Sequence, residues 1–360
     1  MGRYLMLDIG AGTLDMLYYD TDHDLHYKAV VRSPVRVLAD EIRNMGNKTN
    51  LVVTGGEMGG GPVSQALIDR AATAQVMMTA PAAATIHHDR ERVTRHGIRV
   101  IDRAEAEQKK NDPAFGHVRV GDLQPDRLQR IVEGMGVPFA FDAVAICAQD
   151  HGVAPPGVSH LDFRHQLFTA ALERDPVPQA LMYRSDEVPE SMNRLLTIAH
   201  DALHLPTDRV YVMDSGMAAI LGASMDRLAA DKETILVLDI ATSHTVGAAM
   251  QNGQLYGFFE YHTKDITVER LDQLLKALPE GRLSHRQILD KGGHGAYSRK
   301  AVGFADVQLI LSTGPRRGLI ATSTLPITLG APWGDNMMTG TVGLLEALRQ
   351  REGLAPIPYL

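Results

Sequence analysis

The sequence predicts an α/β fold built from two copies of one module. Residues 4–20, YLMLDIGAGTLDMLYYD, and residues 234–250, TILVLDIATSHTVGAAM, share one layout. In each, an apolar run ends in Asp-Ile, a turn of small residues follows, and a second apolar run resumes. Two short apolar runs joined by a few small residues read as a β-hairpin. Similarity at this separation signals a duplicated unit. The length agrees: 360 residues is too long for one typical core and suits two domains of roughly 150 residues each.

The first hairpin carries Gly10-Ala11-Gly12-Thr13 between Asp8 and Asp15. Glycines reach positive φ and let backbone N–H groups approach a phosphate. Two carboxylates beside an anion-cradling turn make electrostatic sense only with a divalent cation between them and the phosphate oxygens. An ordinary hairpin with two solvated aspartates is the other reading. In the second hairpin Asp239 overlays Asp8, and Ala241 and Ser243 stand where the first has glycines.

On these residues the chain resembles the superfamily of actin, hexokinase and the heat-shock chaperone ATPases. Its two related domains, of ribonuclease H-like fold, each contribute a hairpin of the form Asp-x-Gly-x-Gly-Thr. Asp8-Ile9-Gly10-Ala11-Gly12-Thr13 fits that form closely. The resemblance implies two duplicated actin-like domains with a nucleotide cleft between them. It implies ATP and Mg2+ as cofactors, Asp8 and Asp239 holding the metal through water, and Gly10 to Thr13 clamping phosphate. In the altered second hairpin Thr242, Ser243, His244 and Thr245 would replace some backbone contacts.

Composition excludes other classes. A net charge of −7 supplies no basic field for nucleic acid. No apolar span approaches the roughly 20 residues of a membrane helix. The N-terminus enters a strand directly, without a signal-peptide pattern. The single cysteine, Cys147, precludes an intrachain disulfide. A cytoplasmic location is the expectation.

In chain order, residues 25–31 and a segment around 33–38 extend the first sheet, and 38–44 is a short helix with Leu38 and Ile42 on one face. Asp20, Asp22 and Asp24 read as a solvated turn, because the EF-hand glycine and distal glutamate are absent. A strand at 51–53 runs into the glycine-dense loop 54–62, followed by a helix at 64–74 that Pro62 and Ser64 start. Strand, glycine loop and helix can hold an anion; close backbone packing explains the glycines as well. Gly59 and Gly60 are the substrate candidates here. His87 and His88 lie in a surface loop. Residues 75–84 and 93–102 are strand and helix pieces of unresolved order, and 105–111 and 125–134 are helices. The strand 142–146 ends in Gln149-Asp150-His151-Gly152, and strand ends are where open α/β sheets place ligand groups. Sugar kinases of the superfamily end the matching strand in a similar string. That makes Gln149 and His151 substrate candidates and Asp150 a catalytic one, with a satisfied turn as the alternative.

A helix follows at 163–172, then one at 191–205 that carries His200 and His204 four residues apart, the spacing of two zinc ligands. No Glu follows His200 in the metalloprotease pattern, and surface histidines are the better reading. Pro206 marks the expected boundary: a first domain of residues 1–205, to which 340–360 return, and a second of 206–339 that opens with a strand at 210–213. Asp214 then enters a small-residue helix, where the resemblance implies a catalytic base and local geometry alone implies an N-cap. A strand at 254–262 and a helix at 268–278 follow. Lys291 lies in a glycine loop, 291–295. A strand at 307–311 ends in Gly314-Pro315-Arg316-Arg317, the place of the superfamily's nucleoside motif, with an arginine stacking on the base. Residues 335–348 resemble the connecting helix.

Met58 to Pro62, Gln149 to Gly152 and Gly292 to Gly295 also resemble a narrower family within the superfamily, one labelled as a pyruvate formate-lyase activating enzyme. A radical activating enzyme of that kind needs three cysteines, Cys-x-x-x-Cys-x-x-Cys, to hold its iron–sulfur cluster, and this chain has one. The expectation is therefore an ATP- and Mg-dependent small-molecule kinase or ATPase and not a radical enzyme. Its partners would be ATP and a small-molecule acceptor or a partner protein, with no nucleic acid and no membrane; a homodimer is left open. A nucleotide or ligand sensor without turnover is the third reading.

Overall fold

The computed structural model describes residues 2–359. Its strands, in chain order, are β1 (Arg3–Ile9), β2 (Thr13–Asp20), β3 (Leu25–Arg32), β4 (Asn50–Gly55), β5 (Val76–Thr79), β6 (Ile98–Ile101), β7 (Phe115–Val120) and β8 (Ala143–Ala148). They continue as β9 (Met182–Arg184), β10 (Val210–Asp214), β11 (Thr234–Ile240), β12 (His244–Gln251), β13 (Gln254–His262), β14 (Gly295–Ser298), β15 (Leu309–Thr313) and β16 (Ile327–Leu329).

The duplication is visible in the sheets. The first has the order β3-β2-β1-β8-β10-β9 and the second β14-β13-β12-β11-β15-β16. In each, three antiparallel strands are followed by two that run parallel to the first: β1 to β8 to β10, and β11 to β15 to β16. Five strands in one repeated order, twice, make this the two-domain actin-like fold. The central strands are apolar on both faces because helices cover both sides, as parallel arrangements require. β8, AVAICA, is buried throughout.

Strand β10, expected to open the second half, lies in the first sheet next to β8, so that sheet continues past Pro206. The hydrophobic run alone cannot say which sheet a strand joins. Residues 33–38 do not extend the sheet either. Ser33 accepts a hydrogen bond from the Val35 amide (3.2 Å) and Pro34 takes the first helical position, so the helix Pro34–Asn44 starts there. A Ser-Pro pair is a strong helix start. Strands β4 to β7 form a separate, all-parallel sheet of order β6-β5-β4-β7 with its own core. It is inserted into the first domain and carries the glycine-dense loop.

Two helices join the halves. Ser215–Ser224 follows β10, and Thr339–Glu352 follows the second sheet and packs its Leu344, Leu345 and Leu348 into the core that contains Leu5, Met6 and Ile146. Their crossing is backbone against backbone. A Cβ on Gly222 would overlap the Thr339 carbonyl, and one on Gly343 would overlap the Ala218 carbonyl. Gly343→Ala is therefore expected to cost about 2–4 kcal/mol by overpacking. Gly134→Ala, at a site with open space around it, should stay within about 0.5 kcal/mol of the wild type or gain slightly. Urea unfolding of both variants measures the difference.

Candidate functional site: a cleft between two acidic hairpins

The β1–β2 and β11–β12 hairpins turn in the same way. Gly10 N–H donates to the Thr13 carbonyl and Ala241 N–H to the His244 carbonyl, each at 3.0 Å. Neither Gly10 nor Gly12 takes a left-handed φ, so the turn does not need glycine for its dihedrals, and the second hairpin forms it without any. Gly12 stands instead at a close approach of the two hairpins. A Cβ there would come within 3.1 Å of the Thr242 side chain. The two hairpin tips face each other at contact distance.

They form the walls of one cavity of about 1250 Å³. Asp8, Gly10, Ala11, Gly12, Thr13 and Asp15 line it from the first hairpin, and Asp239, Thr242, Ser243 and His244 from the second. Gly314 and Pro315 also line it, as do Gly59, Gly60, Gln149 and His151. Four expected site residues are not in the lining. Thr245 is fully buried and bonds Thr263. Arg316 is exposed. Asp150 is buried, its two oxygens accepting from the Gly152 amide (2.7 Å) and the Leu195 amide (2.9 Å). Asp214 caps its helix by accepting from the Met217 amide (3.1 Å) and receives Arg164 Nη2 at 2.9 Å. The expected base thus has both oxygens engaged inside the protein. Lys291 is exposed and also outside the cavity lining.

The glycine loop packs closely. A Cβ on Gly55 would overlap the Val120 carbonyl, one on Gly59 would approach Arg194 to 2.7 Å, and the Gly59 amide already donates to both oxygens of Asp122. Close packing accounts for these glycines, and this amide is not free for an anion. His87 and His88, read as a surface loop, line the cavity, with His88 Nε2 2.9 Å from Glu57 Oε2.

Three carboxylates dominate the electrostatics. Asp8 and Asp15 are direct cross-strand partners on β1 and β2, and Asp239 sits on β11 at the place of Asp8 on β1. Burial, then the neighbouring carboxylates, pushes Asp8 up to about 7 and Asp15 to about 8; burial pushes Asp239 to about 6, against a hydrogen bond from Thr313. None of the three makes a salt bridge among the described residues, and Asp15 Oδ1 is buried without a hydrogen-bond partner. Crowded, unneutralised oxygen donors suit a hard divalent cation such as Mg2+. Cys147, register partner of Asp8 on β8, is buried beside it. One buried thiol cannot hold an iron–sulfur cluster, so the donor set does not fit one.

The sequence reading missed Glu260, Arg164 and Gly340. Glu260 stands in the apolar strand LYGFFEYH, and a lone acid in such a strand is a legible signal. Arg164 joins Glu260 Oε2 (2.5 Å), Asp214 Oδ2 (2.9 Å) and the Asp150 carbonyl (3.1 Å), so it bridges the two sheets. Its charge holds Glu260 well below the ordinary carboxylate range despite burial. Gly340 lies so close to Asp8 that any side chain would overlap the carboxylate, and only the assembled fold shows that.

Two outcomes follow. A carboxyl whose folded pKa is raised above its unfolded value favours the folded state fully only below that value. As pH rises from about 4 to about 8, the folded chain binds more protons than the unfolded one and stability falls. Without divalent cations, Asp15→Asn should therefore raise the thermal midpoint by several degrees at pH 8 and much less at pH 5, and added Mg2+ should shrink the gain at pH 8. Arg164→Ala should cost about 3–5 kcal/mol at pH 7 by stranding two buried carboxylates. That loss should shrink below about pH 5, where they take up protons, as chemical denaturation across pH will report.

Comparison with solved structures finds relatives by fold. The chain is similar to the activator of the 2-hydroxyisocaproyl-CoA dehydratase from Clostridium difficile with bound ADPNP, at 8% identity and TM-score 0.35 over 99% of both chains. It is similar to a chain of the PilM–PilN type IV pilus biogenesis complex at 12% identity and TM-score 0.43, over 98% of this chain and 99% of that one. It is also similar to a ROK family glucokinase from Streptomyces griseus in complex with glucose and AMPPNP, at 11% identity and TM-score 0.36, over 97% and 100%. No curated protein sequence matches. A family model covers residues 58–319, and by that match the chain belongs to the family described as "Putative pyruvate format-lyase activating enzyme (DUF1786)".

Proposed function

We propose that the cleft binds ATP with Mg2+ and transfers the terminal phosphoryl group to a small polar acceptor. The observation that carries this reading is the pair of matching hairpins meeting at Gly12 and Thr242, with Asp8, Asp15 and Asp239 unneutralised beneath them. Ala11 to Thr13, in the turn that the Gly10 amide closes, and Thr242 to Ser243 would hold the phosphates through turn amides and hydroxyls. Gly314 and Pro315 would support the nucleoside, with Asn336, whose amide donates to the Gly314 carbonyl at 3.1 Å. Asp8 and Asp239 would hold the metal through water, which would supply charge neutralisation at the phosphoryl oxygens. The cavity exceeds the roughly 300–1,000 Å³ of a single-ligand site. The part lined by Glu57, Gly59, Gly60 and His88 from the inserted domain and by Gln149 and His151 would take the acceptor. Phosphoryl transfer runs mostly on positioning and charge. Asp214, tied to Arg164, would position Glu260 in the cavity wall and would not itself take a proton.

A second reading is an ATPase that drives a change in a partner protein. What favours it is that Asp214 and Asp150 both have their oxygens engaged internally, which leaves an acceptor hydroxyl without either expected base.

Measured ATP turnover with and without Mg2+ tests both. Wild type should turn ATP over only with Mg2+, and Asp8→Ala should lose roughly 10²–10³-fold. Asp214→Asn should lose less turnover than Asp8→Ala while losing stability. Stimulation by small polar acceptors supports the kinase, and stimulation only by protein supports the second reading. If Asp214→Asn abolishes turnover in a stably folded protein, Asp214 is the base after all; if nucleotide does not bind, both enzyme readings fail.

A further inference from the structure

The second sheet gathers three histidines at one end. His244 begins β12 and is the direct cross-strand partner of His262 at the end of β13. Direct partners stand about 4.5–5.5 Å apart at Cβ. His294 immediately precedes β14, and its amide donates to the Glu260 carbonyl at 2.8 Å, which sets it beside the same end of β13. Three neighbouring strands of one sheet thus deliver one imidazole each. The ring centroids lie 4.2 to 4.8 Å apart, and one nitrogen from each ring falls within 4.8 Å of the other two.

We infer that His244, His262 and His294 form a site for a first-row transition metal ion of the Zn2+ class, with a remaining position open to the cleft. Zn–N bonds of about 2.0–2.1 Å place tetrahedral nitrogens about 3.4 Å apart, so a small closing rotation of the rings completes the triad. His244 Nε2 and His294 Nδ1 are buried without hydrogen-bond partners. Packed imidazoles with no ion between them would leave those atoms desolvated for no return.

Imidazole nitrogens select Zn2+ and its first-row neighbours over Mg2+ and Ca2+. The site is therefore chemically distinct from the oxygen-donor cluster of Asp8, Asp15 and Asp239. Glu260 stands behind it, its Oε1 3.8 Å from His294 Nδ1, held by Arg164 and Gln149. At that distance Glu260 makes no hydrogen bond to the ring, and its negative charge beside the three imidazoles favours a cation there. His151 closes the rim, its ring 6.0 Å from that of His294 and its Nδ1 also unpartnered. His244, His262, Glu260 and His151 all line the cavity, so a water or an oxygen donor of the substrate would fill the open position. The sequence reading considered His200 and His204 for zinc spacing; both are exposed and outside this cluster.

The test uses the untagged full chain, stripped by a chelator, reloaded with Zn2+ in the absence of nucleotide and analysed for bound metal. Wild type should retain about one equivalent, as a three-histidine centre would. Reloading with Co2+ should produce the visible absorption of a tetrahedral site. His262→Ala and His294→Ala should each lose most of the metal and the Co2+ bands while keeping the wild-type circular dichroism. If either fails to fold, the Gln variant at the same position replaces it. The double variant His200→Ala/His204→Ala should retain metal. Zn2+ should raise the thermal midpoint of the wild type and not that of the triad variants. The site is refuted if the wild type retains no stoichiometric metal, if folded triad variants retain as much as the wild type, or if the His200/His204 variant alone loses it.

Discussion

Arg164 sets the electrostatic plan of this molecule. One buried guanidinium meets the segment just past β8 at the Asp150 carbonyl, the end of β10 at Asp214 and β13 near its end at Glu260. It joins the two sheets, holds Glu260 charged and opposes the burial that pushes Asp214 up. Partnering is costly to break once the charges are desolvated. The cleft therefore holds two kinds of acid. Those that Arg164 reaches, Asp214 and Glu260, are paired inside the protein, and those it does not reach, Asp8, Asp15 and Asp239, are crowded and without an internal cation among the described residues.

That division depends on how closely the halves approach. The crossing of the helices Ser215–Ser224 and Thr339–Glu352 works because Gly222 and Gly343 bring backbone onto backbone. The same proximity puts Gly340 against Asp8 and Gly12 against Thr242. Small residues at these places are consequences of one distance, the separation of the two sheets. The inserted four-stranded sheet supplies the outer wall, through Glu57, Gly59, Gly60 and His88.

The two hairpins meet at one cleft, but their turns form for a reason other than the one the glycine pattern suggests. Glycine was expected because the turn would need positive φ, yet Gly10 and Gly12 do not adopt it. Ala241 and Ser243 make the same turn, so the apparent degeneration of the second motif is not a change of shape. Asp214 is the reverse case. Its place in the order of motifs suggested a base, while its local chemistry, an aspartate entering a helix, described the cap that is found. Local capping geometry is set within a few residues, whereas access to a cleft is set by what packs on the other side, here Arg164 from a different helix.

The sequence by itself determined the α/β class, the duplication, the hairpins with Asp8 and Asp239, and most helices. Apolar periodicity, Asp-Ile endings and capping residues are local, and they act over a few residues of chain. It left open which sheet β10 joins, what engages Asp214 and Asp150, and why Gly340, Glu260 and the three histidines matter. Those depend on contacts between residues as far apart as Asp8 and Gly340, or His244 and His294, which no local pattern encodes. Only the tertiary structure could decide them, because burial and charge pairing are properties of the assembled sheets.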